Sequence, residues 1–272
     1  MSTFNITRFC QTLKCQIVNS RKDWLLVFSI YIVALTFLNI FFVRNTTFDG
    51  GSYHEAVAKH GVAYMEDAYV MLIQGVTRFN VIFFGIAMLF CANFIFYHLK
   101  KTPQRSAYFM LPASNLEKFI VCLLTNVVMA AIGTAICIGI ADALRVLVDV
   151  ADGRVIIWGI PMIFDAISYK GSIWWLILSL MLQIHAAYIL GGTLFRKQQF
   201  VLTTITVIII SYLLEFIWHT PLMGNPNVYD KGPNAWFYIV TIGGFLLTAL
   251  FYWLSYKIFC RMQVINNKWL NV

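Results

Sequence analysis

Apolar residues along the chain gather into long runs instead of alternating with polar ones, and six runs approach the length of a membrane crossing. They are Trp24 to Val43, Asn80 to Leu99, Phe119 to Ala141, Ile173 to Thr193, Phe200 to Trp218 and Trp236 to Phe259. A hydrocarbon core of about 30 Å takes about 20 such residues in a helix, so each run predicts a transmembrane helix. Trp24, Trp174, Trp175, Trp218 and Trp236 stand at the ends of these runs, where an aromatic belt places them.

Three further segments read as lying along the membrane. In residues 1–23, Ile6, Phe9, Leu13 and Ile17 recur at helical spacing while Arg8, Lys14, Arg21 and Lys22 supply cations. That pattern predicts an amphipathic helix on the inner surface. "HEAVAKHGVAYMEDAYVMLI" puts Val57, Tyr64, Ala68 and Leu72 on one face and predicts a short outer helix. "VIIWGIPMIFDAI", residues 155–167, is too short to span and carries Pro161, so it reads as re-entrant or interfacial.

Composition makes the class firm. The chain has 272 residues, 60% hydrophobic and 12% charged, and its mean hydropathy is +0.74. Soluble domains have roughly 45–50% apolar and about 25% charged residues. The expectation is an all-α integral membrane protein with one membrane domain over 24–260 and a short tail over 261–272. The net charge of +8 lies at the ends of the apolar runs and not on one soluble face, which excludes a nucleic-acid partner and leaves the lipid bilayer.

Orientation follows from the bases. With the N-terminus inside, thirteen of the 20 Lys and Arg fall on the inner side and seven on the outer, which places both termini in the cytoplasm. The first run exceeds a signal-peptide core and "RNTTFDGG" after it offers no cleavage pattern, so it is expected to stay as a span. Of the six cysteines none falls in a segment read as outside, so no disulfide framework is expected.

One polar island interrupts the pattern, "HLKKTPQRSAYFMLPASNLEKFIV" from His98 to Val121. Pro112 disfavours helix at Leu111. Ser114 with Glu117 three residues on forms a capping box before an apolar run, so a helix is predicted to begin at Asn115. Upstream, Tyr108, Phe109 and Met110 stand between Arg105 and the proline turn, as a presented knob.

Other polar residues carry less. Gln183 and His185 in the fourth run could line a polar path through the membrane or bond a neighbouring helix. Glu215 and His219 are one turn apart but lack a third metal ligand. Asp142 and Arg145 form a default structural pair on one helix face, and His54 and His60 lack the spacing of a helical zinc site. The chain has no G-x-S-x-G, S-x-x-K, H-E-x-x-H or phosphate-loop pattern, so no catalytic residue, metal or cofactor is expected.

The amphipathic start ending in "NSRKDWLL", six spans with both ends inside, and a basic second cytoplasmic segment carrying "LPASNLEK" together resemble the bacterial ABC-2-type permeases, the membrane subunits of ATP-driven exporters. The resemblance implies that Arg105, Tyr108, Phe109, Leu111, Pro112, Ser114, Asn115, Glu117 and Lys118 form the segment that couples to the ATPase. Leu111, Pro112, Ser114 and Lys118 match the family's pattern, whereas Asn115 stands where the family often has arginine. It also implies a cytoplasmic ABC ATPase as partner, a homo- or heterodimer of membrane subunits, and the bacterial inner membrane. The alternative is a multi-pass scaffold or sensor subunit that uses the same segment to bind a cytoplasmic regulator.

Overall fold

The computed structural model describes residues 4–46, 52–96, 102–163, 173–195, 198–222 and 235–261; among them, side chains are described outside 102–105, 173–174, 213–222 and 235–236. The helices in chain order are α1 (Ile6–Asn45), α2 (Tyr53–His60), α3 (Val62–Asn93), α4 (Thr102–Phe109), α5 (Asn115–Leu123), α6 (Met129–Ala151), α7 (Ile173–Leu194), α8 (Gln199–Leu222) and α9 (Ala235–Arg261). A π-helical stretch, Leu124–Val128, joins α5 to α6. Most of the described residues are helical and none lies in a strand, in keeping with the apolar runs.

Five helical stretches are long and apolar enough to cross a membrane: Ile6–Asn45, Val62–Asn93, Asn115–Ala151, Trp175–Leu194 and Phe237–Arg261. Gln199–Tyr212, in α8, is a shorter apolar stretch. The protein is therefore a multi-pass membrane chain.

Several boundaries differ from expectation for identifiable reasons. Nothing between Ile17 and Trp24 breaks a helix, and within the segment expected to be separate Ile6 to Asp23 run unbroken into the first apolar run as α1. Val62 to Arg78, in the stretch expected to lie outside, belong to the same helix as the second run, α3, which ends at Asn93, short of Leu99. The third span's helix extends past Ala141 to Ala151. The last eleven residues, 164–167 of the "VIIWGIPMIFDAI" segment, and Lys100 and Lys101 lie outside the described residues.

The chain divides into two compact units. Unit 1 comprises Met1–Asn19, Met88–Ala130 and Gly171–Val272. Its core sets Ile95, Phe96, Tyr108, Phe119, Cys122 and Phe259 together, and a second cluster joins Ala92, Tyr188 and Ile189 with Phe200 and Tyr252. Gln199 Nε2 donates to Gly192 O (3.0 Å) and the Tyr188 and Thr204 hydroxyls share a hydrogen bond (2.9 Å), so α7 and α8 form an antiparallel hairpin. Ser179 packs on Gly244, and His185 Nδ1 meets Tyr252 Oη at 3.1 Å, so α7 and α9 run parallel. A Cβ on Gly192 would overlap the Asn93 carbonyl oxygen, so glycine lets α7 lie directly on the end of α3.

Unit 2 comprises Ser20–Ala87 and Ala131–Lys170. Val43, Tyr53, Ala56, Met65, Tyr69, Ile73 and Val76 form its larger core, with Val155, Ile157 and Met162 against it. The expected outer helix is present as α2, started by a capping box of Ser52 and Glu55. α6 stops at Gly153, whose φ of +66° suits glycine. Gly153 N donates to Val150 O and Arg154 N to Asp149 O, the Schellman closure of a helix C-terminus.

Candidate functional site

The polar island folds into an elbow between α4 and α5, and its side chains close on themselves. Ser114 caps α5: Glu117 N donates to Ser114 Oγ (3.2 Å) and Ser114 N donates to Glu117 Oε2 (2.8 Å). The predicted capping box and the start at Asn115 are both found. Lys118 Nζ donates to Phe109 O at 2.9 Å, which places a cation at the C-terminus of α4. That end carries unsatisfied carbonyls and the negative pole of the helix, so the lysine meets both needs.

Tyr108 turns inward. Its hydroxyl donates to Lys118 O (3.0 Å), lies 3.0 Å from Cys122 Sγ, and is 6% exposed. Burial first, and then the neighbouring thiol, push its phenol far above the ordinary value, so it serves as a neutral donor. Phe109 packs on Phe259, with ring centroids 6.0 Å apart. The expectation that Tyr108 and Phe109 project as a knob is corrected: in an apolar setting their rings gain more by joining Phe96, Phe119 and Phe259. What projects is Met110, 82% exposed, with Pro112, Asn115 and Leu116 beside it, while Leu111 is half-buried against the core. Arg105 lies in α4, outside the described side chains.

Glu117 has a second duty that its spacing did not reveal. Its Oε1 accepts from Asn5 N (2.7 Å) and from Arg8 Nη2 (3.3 Å). Asn5 Oδ1 in turn accepts from Thr7 N and Arg8 N and caps α1. One carboxylate thus serves the first turns of two helices, where negative charge is favoured. The sequence held a signal only for the local half of this arrangement.

The intramembrane polar residues are placed as follows. Gln183 faces Gly244 and His185 bonds Tyr252, both on α9, with no hydrogen bond to each other. A knot that the sequence did not announce lies at the end of α3, where Asn93 Nδ2 donates to Tyr188 O (3.3 Å) and to Thr203 Oγ1 (3.0 Å). Asp142 and Arg145 do pair, at 2.8 Å, and Asp149 completes a buried trio at 2.6 Å from the same guanidinium. Glu215 and His219 belong to α8 but their side chains are outside the described set. His54 and His60 lie on α2, with the His60 ring against Tyr64. No metal-competent group of three His, Cys, Asp or Glu occurs among the described residues, and all six cysteines are free thiols.

Comparison with protein-family models, with curated proteins and with solved structures gives no match.

Proposed function

We propose that the chain is the membrane subunit of an ABC-2-like exporter, worked by a separate cytoplasmic ATPase that seats on the α4–α5 elbow. The observation that carries this reading is the elbow's construction: a turn pinned at Ser114, Glu117 and Lys118 that holds Met110 and Pro112 outward against a fully packed aromatic core. A slack loop transmits no force, whereas a pinned elbow moves α5 with whatever moves it. The contact residues on this reading are Met110, Pro112, Asn115 and Leu116, while Tyr108, Glu117 and Lys118 hold the elbow's shape.

Six spans follow from the same reading of unit 1. α7 and α9 run parallel, so the chain between them must return across the bilayer, and α8 is the helix available to do so. An even number of crossings puts both termini on one side, and the Lys and Arg bias favours the cytoplasm for that side; the bacterial inner membrane belongs to the exporter reading itself.

The test is co-purification in mild detergent at matched membrane expression. Met110→Asp with Leu116→Asp is expected to release a co-purifying ATPase, because a charge buried in an apolar contact is costly, and Tyr108→Phe is expected to retain it. If the double variant keeps the ATPase at full strength, the elbow is not the docking site. If wild-type protein brings down a non-ATPase regulator instead, the scaffold reading takes its place.

A further inference from the structure

Within unit 1, the end of α3 meets the α7–α8 hairpin in a knot of two side-chain amides whose nitrogens are bonded and whose oxygens are not. Asn93 is fully buried and Gln199 nearly so. Asn93 Nδ2 donates to Tyr188 O and to Thr203 Oγ1, and Gln199 Nε2 donates to Gly192 O at 3.0 Å. Neither Asn93 Oδ1 nor Gln199 Oε1 accepts a hydrogen bond among the described residues.

Neither amide can be turned round. Tyr188 O and Gly192 O are carbonyls and can only accept. The Thr203 hydroxyl directs its one proton to Gln199 O at 2.7 Å, so it too can only accept from Asn93. Reversing either amide would set oxygen against oxygen. The neighbours therefore fix both oxygens where they are, and a buried acceptor without a donor is costly.

Both oxygens belong to the surroundings of Gly192. An amide oxygen is within about 2.6 Å of its own nitrogen, which keeps Gln199 Oε1 within about 6 Å of Gly192 O. On the other side, the Asn93 backbone touches Gly192 so closely that a Cβ there would overlap its carbonyl oxygen. Gln198, which leads Gln199 into the knot, has a φ of +47°, a left-handed conformation that a residue with a Cβ adopts at a cost.

What such a pair binds follows from its chemistry. The partner must be electropositive, because both free groups are acceptors. Neither α7 nor the first turns of α8 carry Asp or Glu, and calcium and magnesium sites are built on carboxylates. Softer metals take imidazole or thiolate, and no group of three His, Cys, Asp or Glu occurs among the described residues. Neutral carbonyl oxygens are the ligands that replace the water shell of a monovalent alkali cation. The local field agrees: α3 ends at Asn93 and α7 at Leu194, whereas α8 begins at Gln199, so two negative helix poles outweigh one positive pole. Helix C-terminal ends coordinate sodium in this way where membrane helices are interrupted.

We infer that Asn93 Oδ1 and Gln199 Oε1 are ligands of one bound alkali cation, held where the end of α3 meets the α7–α8 turn. The ion ties α3 to both arms of the hairpin. The inference does not rest on what binds the elbow.

The test is thermal unfolding of the purified full chain in detergent, with N-methylglucamine exchanged for sodium or potassium at constant chloride. One of the two ions is expected to raise the midpoint saturably, by roughly 5 °C at about a hundredfold excess over its dissociation constant. Gln199→Met and Asn93→Ala each remove one amide oxygen and are expected to raise the concentration for half the effect at least about tenfold. No difference between the alkali ions and N-methylglucamine would assign both oxygens to water and overturn the inference. A smaller change in either variant would place the ion elsewhere and overturn it too. Should a variant fail to fold, equilibrium binding of radioactive sodium or rubidium to the wild-type chain decides: one ion per chain is expected, and any other stoichiometry overturns the site.

Discussion

Ser114 Oγ accepts from Glu117 N in the first turn of α5 while the Ser114 amide donates to the Glu117 carboxylate, so each side chain satisfies the other residue's orphaned amide. Ser114→Ala removes one half of the exchange and is expected to cost about 1 kcal/mol, within the usual range for N-caps. Thermal unfolding in detergent should show a lowered midpoint with insertion intact. Glu117→Gln reaches further, because the same side chain also receives Asn5 N and Arg8. The amide keeps one acceptor oxygen and loses the charge, so the start of α1 should detach first. Limited proteolysis near residues 4–8 should then speed up while cleavage elsewhere is unchanged, and equal rates in the two proteins would show that the contact is dispensable.

At the level of the helix, two neighbouring kinds of glycine separate packing from propensity. Gly192→Ala drives a Cβ into the Asn93 backbone carbonyl, which cannot rotate away, and the end of α3 must shift. Overpacking of this kind costs about 1–3 kcal/mol. Gly243→Ala meets nothing within 4 Å and should gain up to about 1 kcal/mol of helix propensity. Opposite signs of the change in detergent unfolding midpoint are expected for the two, and equal signs would contradict the α3–α7 contact. What the sequence revealed at this scale has a consistent physical basis. The run lengths announced α7 and α9 nearly to the residue, and the Ser114–Glu117 spacing announced the start of α5, because both are local. The inward turn of Tyr108 and the second duty of Glu117 were hidden. Each depends on what lies across space from the residue: Phe119 and Cys122 for Tyr108, Asn5 and Arg8 for Glu117. Pairing of that kind leaves no periodicity to read.

For the molecule in its membrane, the proposed topology makes a labelling prediction. Ala151→Cys, exposed at the end of α6, is expected to react with an impermeant thiol reagent in intact cells, and Met110→Cys only after permeabilisation. Reaction of both in intact cells would contradict an even count of crossings between the elbow and the cytoplasmic termini. The result is informative even if the elbow has no ATPase, since it rests on charge placement alone.

The contact between Asn5 and Glu117 also orders events in time. The two residues are 112 positions apart, and at about 5–20 residues per second the ribosome finishes Asn5 roughly 6–22 s before Glu117. During that interval the first turn of α1 has been made and its anchor has not. A nascent chain halted before the elbow emerges therefore lacks the carboxylate that receives Asn5 N and Arg8 in the folded chain. A fusion placed ahead of Asn5 is expected to disturb this late-formed contact and not insertion itself.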